Sequence, residues 1–115
     1  MWRATIIATL ISAFIVAGCA DHKGSFSIIN KTNEAIVGGS VVICQQRIVL
    51  PEVPPGSVVT GAYKVTSDSH YNIEVEFASG KKLHKEVGYV TNGMDFQDAI
   101  AITESDIEIT TGIAK

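Results

Sequence analysis

The chain has 115 residues, two cysteines, one tryptophan and a formal net charge of −3. A mean hydropathy of +0.26 with 18% charged residues excludes a disordered polar protein and fits one folded domain. The acidic balance argues against a nucleic-acid partner, whose phosphates call for a basic surface.

The first residues read as a segment apart. Met1-Trp2-Arg3 is a short positive start, and Ala4 to Ala17 is an uncharged run of fourteen. As a helix rising ~1.5 Å per residue that run spans roughly 21 Å, short of a ~30 Å hydrocarbon core. Such a length suits the core of a signal peptide better than a permanent span. The run ends in Val16-Ala17-Gly18-Cys19, which resembles the lipobox of bacterial prolipoproteins. The resemblance covers residues 1–20. It implies cleavage of residues 1–18 and a covalent lipid, through a thioether, on Cys19. The protein is then anchored to the bacterial cell envelope, with no other cofactor. Buried acyl chains contribute ~0.8 kcal/mol per CH₂, so the two or three expected by resemblance hold firmly. Ala20 after the cysteine implies the outer membrane, facing the periplasm, in a Gram-negative host.

Cleavage leaves 97 residues with 8 basic and 12 acidic side chains. Residues 19–24 form a tether that reaches roughly 20 Å when extended, and residues 25–115 form the domain. Removing Cys19 from the thiol count leaves Cys44 alone, so stability must come from a core rather than an internal disulfide. Cys44 follows Val41-Val42-Ile43, a context for a buried thiol, with an intermolecular bridge as the alternative.

The domain holds 11 Val, 11 Ile and 7 Thr but only two leucines, Leu50 and Leu83. β-branched side chains lose rotamer freedom in helices and pack well on a pleated surface, so the composition predicts sheet. In chain order the strands are expected at Phe26–Ile29, Ala35–Cys44 (bent at Gly38-Gly39), Arg47–Val53 and Val58–Val65. Tyr71–Phe77 follows, with Tyr71, Ile73, Val75 and Phe77 inward and Asn72, Glu74 and Glu76 outward. Then come Lys82–Val90, Ala99–Thr103 and Ile107–Thr110, while Asp95–Ala99 is the one candidate for a helical turn. Matching apolar faces pairs Phe77 with Leu83, Ile73 with Val87 and Tyr71 with Tyr89, which leaves Lys85 opposite Val75 as a blemish.

Seven or eight short strands without repeats favour an antiparallel two-sheet β-sandwich, similar to immunoglobulin-like or transthyretin-like domains; a small closed β-barrel is the alternative.

Chemistry is harder to find. Asp68, Ser69 and His70 are neighbours in a predicted turn, where triad members rarely converge, and no Gly-x-Ser-x-Gly elbow occurs. We expect no enzyme. The candidate metal ligands are His84 and Glu86, two apart on one strand, with Glu74 and Glu76 beside them; the plain alternative is a solvated sheet face. Five acids and no base lie between Asp95 and Glu108, and Lys81, Lys82 and Lys85 form a basic patch; such asymmetry can steer a charged partner. Pro54-Pro55-Gly56 and Thr91-Asn92-Gly93-Met94 are expected as binding loops at one end of the sandwich. Met94 is the single contact candidate, with burial as a plug as its alternative. The reading is a membrane-anchored, non-enzymatic binding or assembly module for another envelope protein. The alternative is an inhibitor of a cell-wall hydrolase, similar to the lipoprotein inhibitors of lysozyme, whose serine-and-tyrosine loop Thr60-Gly61-Ala62-Tyr63 faintly echoes.

Overall fold

The computed structural model describes residues 22–113. Cys19 and the leader lie outside the described residues. Eight strands follow one another: β1 (Lys23–Asn30), β2 (Ile36–Ile43), β3 (Gln46–Val49), β4 (Val58–Lys64), β5 (Ser69–Phe77), β6 (Lys82–Val90), β7 (Phe96–Ile102) and β8 (Ile107–Ile113). They form two four-stranded sheets in the orders β4-β1-β7-β8 and β3-β2-β5-β6. Neither sheet closes on itself, so the protein is a small β-sandwich and not a barrel. Placing the first strand between the fourth and seventh departs from the immunoglobulin order, where it borders the second.

Three expectations need correction. The sandwich is not wholly antiparallel, because β1 runs parallel to β7, Gly24 beside Phe96 and Ile28 beside Ile100. Among the described residues there is no helix; Phe96–Ala99 is the first half of β7, where Phe96, Asp98, Ile100 and Ile102 alternate inward. β1 begins at Lys23, two residues before the expected start of the domain at Ser25.

The β5–β6 hairpin keeps its faces but not its register. Val75 lies opposite Leu83, Ile73 opposite Lys85 and Tyr71 opposite Val87, a slip of two residues from the expected pairing. The turn sets this slip. Phe77 N donates to Lys81 O, which leaves Ala78-Ser79-Gly80 as a three-residue loop with Gly80 at φ +94°. A bulge at Gly88, φ +76°, then shifts the register between Ser69 and Tyr71. Tyr89 is therefore turned outward, 57% exposed, instead of facing Tyr71.

The core lies between the sheets. Tyr71, Ile73, Val75 and Phe77 of β5 are buried, as the alternation predicts, and meet Phe26 and Ile28 of β1 and Ile100 and Ile102 of β7. Cys44 is free and buried. The pairing of β2 with β5 shifts register between Ile36 and Gly38, just before the glycine pair where a bend is expected.

Candidate functional site

The strand directions divide the loops between two ends. The far end carries the β1–β2, β3–β4, β5–β6 and β7–β8 loops, and the near end carries the other three and the start of β1. Pro54-Pro55-Gly56 and Thr91–Met94 therefore lie at opposite ends, contrary to expectation. Gly56 N donates to Asn30 O at the end of β1, whereas Phe96, just after Met94, pairs with Gly24 at its beginning. Eight residues of β1 at ~3.3 Å each separate the two by about 25 Å.

The far end is locked by Asn30, which is fully buried. Its Nδ2 donates to the carbonyls of Glu34 and Val53, each at 2.9 Å. Its Oδ1 accepts from Thr32 N at 2.9 Å and from Thr32 Oγ1 at 2.7 Å. Asn–x–Thr at a strand end is a turn former, because both side chains hydrogen-bond their own backbone. Here one amide ties the β1–β2 loop to the segment after β3. Glu34 Oε2 accepts from Ser79 N at 2.7 Å and draws in the β5–β6 turn. A recess of about 270 Å³, lined by Thr32, Asn33, Glu34, Phe77, Lys81 and Glu104, opens between these loops.

The predicted basic and acidic patches meet at one ion pair and one backbone contact. Lys85 reaches from β6 to Asp106 before β8, Nζ to Oδ1 2.9 Å, and Lys81 Nζ donates to the Glu104 carbonyl. The Lys85 ammonium lowers the Asp106 pKa below the usual carboxylate value. The blemish in the expected hairpin is thus a clasp across one open edge of the sandwich. Asp95 is likewise occupied, accepting from Lys23 N at 2.9 Å and contacting His22 Nδ1 at 3.3 Å.

Asp98 is buried in the core. Tyr71 Oη donates to its Oδ2 at 2.5 Å, and the Tyr63 and Tyr71 hydroxyls lie 2.7 Å apart. With the Tyr71 proton committed to the carboxylate, Tyr63 donates to Tyr71. Asp98 Oδ1 meets no partner in hydrogen-bonding geometry. Burial raises the Asp98 pKa, opposed by the Tyr71 hydroxyl and the neighbouring Gly112 and Thr111. Burial also pushes the Tyr63 phenol up to about 12. The inward period from Phe96 through Ile100 to Ile102 was the signal that could have placed Asp98 inside.

The candidate metal ligands do not converge. Glu74 lies opposite His84, but Glu76 lies opposite Lys82 and Glu86 opposite Asn72. His84 Nε2 contacts Asn72 Oδ1 at 2.6 Å, and Glu86 contacts His70 at 3.3 Å. Among the described residues no three His, Cys, Asp or Glu side chains could hold one ion. Asp68, Ser69 and His70 also have separate partners. Asp68 accepts from Asn92 N and Tyr89 Oη, Ser69 Oγ accepts from Cys44 N, and His70 meets Glu86. Thr60-Gly61-Ala62-Tyr63 is no loop: it lies within β4, with Tyr63 buried. Met94 is half-buried at the near end and packs against the core.

No family model matches the chain, and no curated protein matches it. Among solved structures, it is similar to a protein from Eubacterium rectale, with TM-score 0.58 and 14% identity over 85% of this chain and 98% of that one. It is also similar to a "putative cell adhesion protein" from Bacteroides uniformis ATCC 8492, with TM-score 0.52 and 12% identity over 81% of this chain. The chain spans 50% of that protein's length. At such identities the likeness shows a shared fold alone.

Proposed function

We propose that this protein is a lipoprotein of the bacterial cell envelope, anchored by lipid on Cys19, at the periplasmic face of the outer membrane where the host is Gram-negative. Its sandwich binds another envelope protein without catalysis. The leader and Val16-Ala17-Gly18-Cys19 support the anchor. Asn30 carries the binding half. A fully buried amide with four hydrogen bonds holds far-end loops rigid, and loops fixed in advance lose little entropy when a partner docks. The adhesion description of one structural neighbour is in keeping with a surface binding role.

Two measurements test the halves separately. Metabolic labelling with palmitate should mark the wild type and not Cys19→Ala; equal label in both removes the anchor. Photo-crosslinking residues placed in intact cells at Asn33, Pro55 and Ser79 should capture one common protein, and controls on the sheet faces should not. Capture at the faces alone would remove the far-end binding surface.

A further inference from the structure

The described fold begins at His22, three positions after Cys19. His22 O accepts from Val65 N at 2.9 Å, and Asp95 Oδ1 accepts from Lys23 N at 2.9 Å while contacting His22. Both residues are thus pinned to the near end, one to the β4–β5 loop and one to the β6–β7 loop. In sequence only Ala20 and Asp21 stand between Cys19 and His22. Three residue steps reach at most about 10 Å, less than half the length of the sandwich. A domain on so short a lead, held at two points, cannot tumble freely above a bilayer.

From this we infer that Asp95 is a latch that fixes where the lipidated N-terminus leaves the fold, so that the near end of the sandwich rests on the lipid headgroups. The inference rests on the anchored reading proposed above. The occupant of the near end is the lipid surface itself, and the chemistry there suits it. Among the described residues the near-end loops carry two acids, Asp68 and Asp95, each accepting from a backbone N–H, of Asn92 and Lys23. Lys23 and Lys64 are exposed at the same end, where anionic headgroups attract cations. Tyr89, 57% exposed beside Asp68, adds an amphipathic ring of the kind that favours a membrane interface.

The test uses the full lipidated chain, purified from bacterial membranes and placed in vesicles of phosphatidylethanolamine and phosphatidylglycerol doped with a gadolinium-chelating lipid. Amide relaxation enhancement should be several-fold stronger at Thr66, Asn92 and Gly93 than at Asn33, Gly56 and Ser79. Equal enhancement at both ends, or a stronger effect at the far end, overturns the inference while leaving the anchor standing. Absence of lipid on Cys19 by mass spectrometry overturns both. Asp95→Ala should flatten the gradient. A flexible Gly-Ser insert between Asp21 and His22, which leaves the fold untouched, should flatten it further. A gradient unchanged by both variants assigns the orientation to something other than the latch and refutes it.

Discussion

Replacing Tyr71 with Phe tests the internal hydrogen-bond chain most directly. The ring stays, and with it the edge contacts to Phe26 and Tyr63, at centroid distances of 6.0 and 5.8 Å. What disappears is the hydroxyl that donates to Asp98 Oδ2 and accepts from Tyr63. Two buried polar groups lose their partner at once, and each orphan costs ~1–3 kcal/mol. The expected loss is therefore about 2–5 kcal/mol, a large part of the ~5–15 kcal/mol that holds a domain folded. For a domain of this size it lowers Tm by roughly 10–25 °C. Tyr63→Phe is the internal control. Tyr63 is the terminal donor, so removing its hydroxyl leaves only the Tyr71 oxygen short of one bond, at ~0.5–1.5 kcal/mol. Urea denaturation at neutral pH, followed by circular dichroism, measures both. A Tyr63→Phe loss as large as that of Tyr71→Phe would reverse the direction of the chain. Two losses under about 0.5 kcal/mol would dismiss it as a stabilising element.

Three further outcomes follow from single residues. Burial raises the folded-state pKa of Asp98 above its unfolded value, so its favourable contribution is complete below the unfolded pKa and is lost as pH rises through the folded pKa. Urea titrations from about pH 4 to about pH 7 should show Asp98→Asn gaining stability relative to the wild type as pH rises; the opposite trend would refute the raised value. Asn30→Ala should cost about 2–4 kcal/mol and expose the Thr32 amide to rapid hydrogen exchange, since the β1–β2 loop loses the side chain that holds it. Gly88→Ala should cost about 1–3 kcal/mol in thermal unfolding. Its φ is +76°, and an added Cβ would sit 2.7 Å from Ile109 Cδ1 and 3.2 Å from Tyr71 Cδ2.

The sheet composition was legible because β-branched residues and turn residues leave little else to read. All eight strands have counterparts in the sequence reading, and Lys82–Val90 coincides at both ends. Register was less legible for a definite reason. Apolar alternation has period two, so it excludes a slip of one residue but is blind to a slip of two. Only the loop length at Ala78-Ser79-Gly80 decides between them. The acidic run from Asp95 to Glu108 misled in another way. Charge along a chain suggests a solvated surface, yet Asp95, Asp98 and Asp106 serve as a clamp, a core acceptor and a clasp. Their partners are Lys23, Tyr71 and Lys85, distant in sequence. The division of loops between two ends was hidden because it depends on strand direction, and the parallel pairing of β1 with β7 is a non-local choice.

Whether the two sheets stay open or join at their edges turns on Gln46. Its side-chain amide does what a neighbouring strand's backbone would do: Nε2 donates to Lys64 O at 2.7 Å, and Oε1 accepts from Lys64 N at 3.0 Å. Gln46 belongs to β3 and Lys64 to β4, the edge strands of opposite sheets. A side chain has replaced a ladder, so the edge is bridged at one point and remains open along its length. On the other edge Lys85 and Asp106 meet as an ion pair, again without backbone pairing. In Gln46→Ala, the Lys64 amide should lose its protection against hydrogen exchange, while global stability changes by less than about 0.5 kcal/mol because water can replace both bonds. In Lys85→Met, the Asp106 pKa should rise towards the ordinary carboxylate value, read by side-chain NMR titration. If Lys64 kept its protection without the Gln46 amide, β3 and β4 would be paired through their backbones, and the sandwich would be joined along this edge while the β6–β8 edge stayed open.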